Sequence, residues 1–71
     1  MPTVKYRVPN ISCHHCVMTI ERELAELDGV LEVYAEVEGQ TVEVTFEAPA
    51  TEERIRQALA EINYPAAERL A

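Results

Sequence analysis

The run Ile11-Ser12-Cys13-His14-His15-Cys16-Val17 holds both cysteines and both histidines of the chain. Thiolates select Cu(I), zinc and iron–sulfur clusters, and a Cys-x-x-Cys pair also supports disulfide exchange. Two cysteines are too few for a four-cysteine zinc site or for a disulfide-stapled mini-protein. A c-type haem attachment needs His directly after the second Cys, where Val17 stands. The pair is therefore an open one. It suits an ion that accepts low coordination, which puts Cu(I) first and Zn(II) or another soft metal behind it. Two inert core cysteines are a poor reading, because the surrounding His, Asn and Ser make a poor core.

Six short elements must position that pair. In Thr3-Val4-Lys5-Tyr6-Arg7-Val8, Val4, Tyr6 and Val8 share one face, so the run reads as a half-buried strand. A helix follows over about residues 14 to 27, with Val17, Ile20, Leu24 and Leu27 as its apolar stripe. Gly29 suits its left-handed cap. Period two then resumes, with Leu31, Val33, Ala35 and Val37 inward. After a turn through Gly39, Val42, Val44 and Phe46 point inward and complete a hairpin. Thr51 caps a second helix, Glu52 and Glu53 suit its first turn, and Ile55, Leu59 and Ile62 face the core. The segment Ala66-Ala67-Glu68-Arg69-Leu70 reads as a last edge strand.

The order β-α-β-β-α-β, with one apolar face per strand, predicts an α+β fold. It is a ferredoxin-like four-stranded antiparallel sheet with two helices on one face. At 71 residues it is one domain, 1–71, with little room for an enclosed catalytic pocket.

On this frame Cys13 falls at the end of the first loop and Cys16 in the first helical turn. Residues three apart on a helix are neighbours, so both sulfurs reach one ion from one side. The roughly 100° rotation per residue turns His14 away from Cys13 and His15 away from Cys16, which leaves both as solvent-facing residues. The helix N-terminus favours thiolate. Cys13, at the N-cap position, is expected to accept N–H groups from the first turn and to be the more acidic and more reactive thiol. Partial burial is expected to raise the pKa of Cys16. Neither cysteine belongs to the apolar stripe, so serine at either position is expected to leave the fold intact.

Thirteen acidic residues, twelve of them Glu, stand against six basic ones and give a net charge of −7. Such a surface repels nucleic acid and anionic membrane alike and leaves a cationic ligand or a basic protein patch as partner, or serves solubility alone. No apolar run approaches the roughly 20 residues of a membrane span, and no secretory h-region opens the chain. The expected compartment is the cytoplasm, where thiols stay reduced.

With these residues in place, the whole chain resembles a heavy-metal-associated domain, the module of copper chaperones and of the N-termini of copper-transporting P-type ATPases. That family carries Gly-Met-Thr/Ser-Cys-x-x-Cys after its first strand, and Asn10-Ile11-Ser12-Cys13-His14-His15-Cys16 matches it here. The resemblance implies that Cys13 and Cys16 are metal ligands. It places His15 as in bacterial copper chaperones and puts Tyr64 where that family has an aromatic beside the site. Ser12, His14 and His15 join Tyr64 as accessory residues near the metal. Asn10 and Ile11 replace the family's Gly-Met, and Asn63 replaces a frequent Gly before the aromatic. Ile11 can bury as an anchor, and Asn tolerates the turn conformations of Gly. Ser12 lacks the carboxylate that zinc- and cadmium-handling relatives often carry there. The implied function is Cu(I) delivery by ligand exchange, with no enzymatic step. The implied partner is a copper-transporting P-type ATPase or another domain of the same fold. The implied apo-protein is a monomer that metal can bridge into a dimer. A small thiol–disulfide oxidoreductase, or a zinc or mercury carrier of the same fold, is the alternative.

Overall fold

The computed structural model describes residues 2–71. Its elements run β1 (Thr3–Arg7), α1 (His14–Ala25), β2 (Val30–Glu36), β3 (Thr41–Phe46), α2 (Glu52–Glu61) and β4 (Glu68–Arg69). The four strands form one antiparallel sheet in the order β2-β3-β1-β4. The ferredoxin-like expectation holds, and the terminal segment is indeed an edge strand. It is only two residues long and is paired to Tyr6 and Arg7.

Alternation decides which face is buried. Val4, Tyr6 and Val8 from the first strand and its end, and Val42, Val44 and Phe46 from β3, all lie in the core. Ile20 and Leu24 of α1 and Ile55 and Leu59 of α2 close over them, each fully buried. Thr3, Arg7 and Glu43 alternate with the buried set and are exposed. Thr51 caps α2 as read from the sequence, its side chain accepting the Arg54 N–H at 3.2 Å. The buried Tyr6 hydroxyl donates to Glu52 Oε1 at 3.0 Å, and Arg69 Nε lies 3.3 Å from the same oxygen, so β4 is tied to α2 through the core's polar edge.

Three sequence expectations need correction. Leu31 does not face the core: it is 47% exposed, and Val30 pairs with Phe46 in its place. A β-bulge between Val30 and Glu32 inserts one residue, which flips Leu31 outward before Val33 and Ala35 return to the inner face. The helix α1 ends at Ala25, with Glu26 as its cap, and Leu27 packs half-buried beyond it. Gly29 is left-handed, at φ 95°, but it lies beyond the Glu26 cap, in the turn that leads into β2, and so does not cap α1 as expected. The β2–β3 turn runs through Gly39 as read, with Gln40 left-handed at φ 53°.

Candidate metal centre

The loop from Pro9 to Cys13 is fixed from below and from both sides. Ile11 is fully buried, which anchors the loop as its apolar character suggested. From the β2–β3 turn, Gln40 Nε2 donates to the carbonyls of Pro9 at 2.9 Å and Ile11 at 3.1 Å. From the other side, Asn10 Nδ2 donates to the Asn63 carbonyl at 2.9 Å.

Asn63 owes its place to the end of α2. It takes φ 70°, and its N–H bonds the Ala60 carbonyl while the Tyr64 N–H bonds the Leu59 carbonyl at 2.8 Å. That is the Schellman arrangement with Asn at the left-handed position usually held by Gly. It turns the chain so that Tyr64 comes to the Cys loop, as the topology and the resemblance both implied.

Cys13 is the N-cap of α1, with extended φ −160° and ψ 175°, and its carbonyl accepts the Cys16 N–H at 3.0 Å. Cys16 lies one turn in. The two sulfurs are free thiols 3.9 Å apart. Cys13 is exposed, whereas Cys16 is 6% exposed and joins the core cluster. Ser12 Oγ stands 3.7 Å from Cys16 Sγ, and the Asn10 carbonyl 3.9 Å from it. His14 and His15 are both exposed. Among the described residues no three His, Cys, Asp or Glu side chains converge as a metal site, so neither imidazole completes a third position beside the sulfurs.

Two expectations about the thiols fail here. Cys13 makes no side-chain cap hydrogen bond. The acidified thiol is Cys16, brought down to about 6. The Tyr64 hydroxyl contributes most, followed by the backbone N–H and hydroxyl of Ser12, and these outweigh the opposing effect of burial. Cys16 sits at the rim of the core with donors above it, so its burial removes little solvation that those donors do not replace. Tyr64 is pushed up in turn, chiefly by the same contact with Cys16. Cys16 is also a core residue after all, so serine there is not structurally silent. Sequence reasoning placed Tyr64 near the loop but missed its action on one sulfur. It missed Gln40 altogether, for which no local signal existed.

The acidification is testable in the reduced apo-protein. Thiolate absorbance should show a step near pH 6, and Tyr64→Phe should move that step up toward the ordinary thiol range. A folded pKa below the ordinary thiol value of 9.0 means that the Cys16 contribution to stability is present above pH 9 and is lost as pH falls through about 6. Melting temperature should therefore rise with pH across that window and rise less in Tyr64→Phe. An unmoved step in the variant would remove Tyr64 as the main cause and leave the acidity to the Ser12 donors.

The heavy-metal-associated domain family matches residues 5–65. The chain belongs to that family. Among its relatives, the COP-associated protein of Helicobacter pylori strain J99 is 45% identical over 56 residues, covering 79% of this chain and 85% of that protein. The copper chaperone CopZ of Bacillus subtilis is 43% identical over 42 residues, 59% of this chain and 61% of CopZ. The periplasmic component of the mercuric transport protein of Pseudomonas aeruginosa is 31% identical over 64 residues, 89% of this chain and 70% of that protein. The heavy-metal-associated domain is thus established for this chain, and its relatives include carriers of more than one soft metal.

Proposed function

We propose that this chain is a Cu(I)-binding metallochaperone or metal-delivery domain in which Cys13 and Cys16 hold the ion. The observation that carries the reading is the pair of free sulfurs 3.9 Å apart where the first loop meets α1. One sulfur is acidified and held against the core, and the other is open to solvent. Two thiolates satisfy an ion content with two ligands, whereas zinc takes four, and among the described residues no third His, Cys, Asp or Glu joins the pair. The chain's similarity to a protein named as a copper chaperone supports the same metal.

Delivery proceeds by ligand exchange. A partner thiolate attacks the bound ion, a three-coordinate intermediate is shared, and one copper–sulfur bond of this chain breaks. No electron changes hands and no enzymatic step is needed. The partner is a copper-transporting P-type ATPase or another domain of the same fold, and the setting is the cytoplasm, which keeps both thiols reduced. Among the described residues no helix is long and apolar enough to cross a membrane.

A mercury carrier is the second reading, because one relative is named for mercuric transport and Hg(II) also accepts two thiolates. A thiol–disulfide oxidoreductase fits less well. Its attacking thiolate must meet the substrate disulfide, and here the acidified sulfur is the buried one.

Anaerobic competition among Cu(I), Zn(II) and Hg(II), followed by native mass, tests the reading. With protein in excess, one Cu(I) per chain on a monomer is expected, because a single Cys-x-x-Cys pair is present. Retention of Zn(II) against Cu(I), or of Hg(II) alone at matched chelator strength, would overturn it.

A further inference from the structure

Pro9 and Asn10 are the central residues of a tight turn, closed by the Ile11 N–H on the Val8 carbonyl at 3.1 Å. Pro suits the first central position of such a turn. Asn tolerates a left-handed backbone at the second, but Asn10 does not take one. Among the described residues the non-glycine positions with positive φ are Gln40 and Asn63. Asn10 is also exposed, so neither backbone conformation nor the core accounts for its side chain.

That side chain reaches across the site. Its Nδ2 donates to the Asn63 carbonyl at 2.9 Å, over 53 positions of sequence. Among the described residues this is the one hydrogen bond that joins the main chain of residues 63–66 to the Cys loop. The main chain of Asn10 turns the other way, and Cys16 Sγ lies 3.9 Å from its carbonyl oxygen. Asn63 is followed directly by Tyr64, whose hydroxyl is hydrogen-bonded to the same sulfur. One residue thus touches both the segment that carries the donor and the sulfur that receives it.

We infer that Asn10 is a positioning residue of the metal site: its side chain holds the segment after α2 in register with the Cys loop and so keeps the Tyr64 hydroxyl on the Cys16 sulfur. This role rests on the metal-delivery reading in one respect only, namely that a donor on a ligand sulfur helps to retain the ion. The tie itself is present in the metal-free chain.

Two measurements test it. The first uses the reduced, metal-free protein. Asn10→Ala, which the turn accepts without strain, should shift and broaden the Tyr64 ring resonances and leave those of Tyr34, exposed on β2, in place. Asn10→Asp, of the same shape but without the donor, should do likewise. The second is Cu(I) competition with a chelator at about pH 5, below the Cys16 step, so that every protein releases the same protons on binding. Asn10→Ala should weaken retention roughly two- to tenfold, the range of one hydrogen bond. In the Tyr64→Phe background, where no hydroxyl remains to be positioned, it should weaken retention less than about 1.5-fold. Tyr64 signals that stay put in both Asn10 variants would overturn the assignment. Equal losses in the two backgrounds would overturn it too, by reducing the effect to a general loosening of the loop. A parent protein that takes up no Cu(I) would sink the copper reading, and the ring signals would still decide whether Asn10 places Tyr64.

Discussion

Serine at Cys13 or Cys16 is expected to abolish tight Cu(I) binding, the largest effect any single substitution should have here. Each change leaves one thiolate, and among the described residues His14 and His15 are exposed and do not converge with the sulfurs to replace the lost donor. Substitutions one shell out from a metal typically cost about 10–100-fold in affinity, and losing one of only two ligands should exceed that. The two variants should differ in a second measurement. Cys13 is exposed, so Cys13→Ser should melt like the parent. Cys16 is packed into the core, and a buried hydroxyl in place of its sulfur should cost about 1–3 kcal/mol unless it finds a partner. Cu(I) competition with a chelator, beside thermal melts of the apo-proteins, reads both effects. Parent-like copper affinity in either variant would remove the Cys pair as the site.

The second large effect should fall at the far end of α1. Gly29→Ala is expected to destabilise the apo-protein by about 2–4 kcal/mol, from the left-handed conformation together with backbone crowding. Gly29 sits at φ 95°, its carbonyl accepts the Glu47 N–H at 2.7 Å, and its Cα faces the β3–α2 connection. A Cβ there would collide with the Glu47 carbonyl oxygen and stand 2.7 Å from the Ala50 nitrogen. Both obstacles are backbone, and the Ala50 N–H is itself bonded to that same Glu47 carbonyl at 2.9 Å. Neither can swing aside as a side chain would. For a domain of this size such a loss lowers the melting temperature by on the order of 10–20 °C. Gly39→Ala provides the contrast, because its nearest neighbours are side-chain atoms of Thr41 at 3.5 and 3.6 Å and its φ is not left-handed. It should stay within about 0.5 kcal/mol of the parent. Equal melting of the two variants would show that the contact at Gly29 yields. Below its melting point, Gly29→Ala should still bind Cu(I), since it leaves the Cys loop alone.

What could be read from the chain was whatever depends on near neighbours. Alternation at Val42, Val44 and Phe46, the 3.6-residue stripe through Ile20 and Leu24, the Thr51 cap and the close Cys13–Cys16 spacing are all local patterns, and each places its residues correctly. The misreadings share a different origin. Leu31 follows the alternating pattern perfectly, but the bulge that turns it outward depends on register against β3. Gln40 gives no warning in its own segment, because its partners, Pro9 and Ile11, lie on the far side of α1 in the sequence. The thiol assignment failed for the same reason. A helix end alone favours Cys13, but the donors that act on Cys16 include Tyr64, delivered from beyond α2 by a cap that only the folded chain closes.

The loop that carries the two sulfurs is tethered unevenly. Gln40 and Asn63 hold its start and buried Ile11 holds its middle, while Cys16 is set into a helix and the core. The Cys13 side chain has no such hold. On the proposed reading of Cys13 and Cys16 as the ligands of a carrier, affinity and turnover are expected to be set by different parts of the molecule. How tightly cargo is kept depends on the stiff side, through the donors around Cys16. How fast it changes hands depends on the swing of Cys13. Substitutions at Tyr64 or Ser12 should therefore shift the equilibrium constant, whereas stiffening or loosening the chain at Cys13 should shift the exchange rate with little change in the end point. On that reading, retention and release are open to separate adjustment.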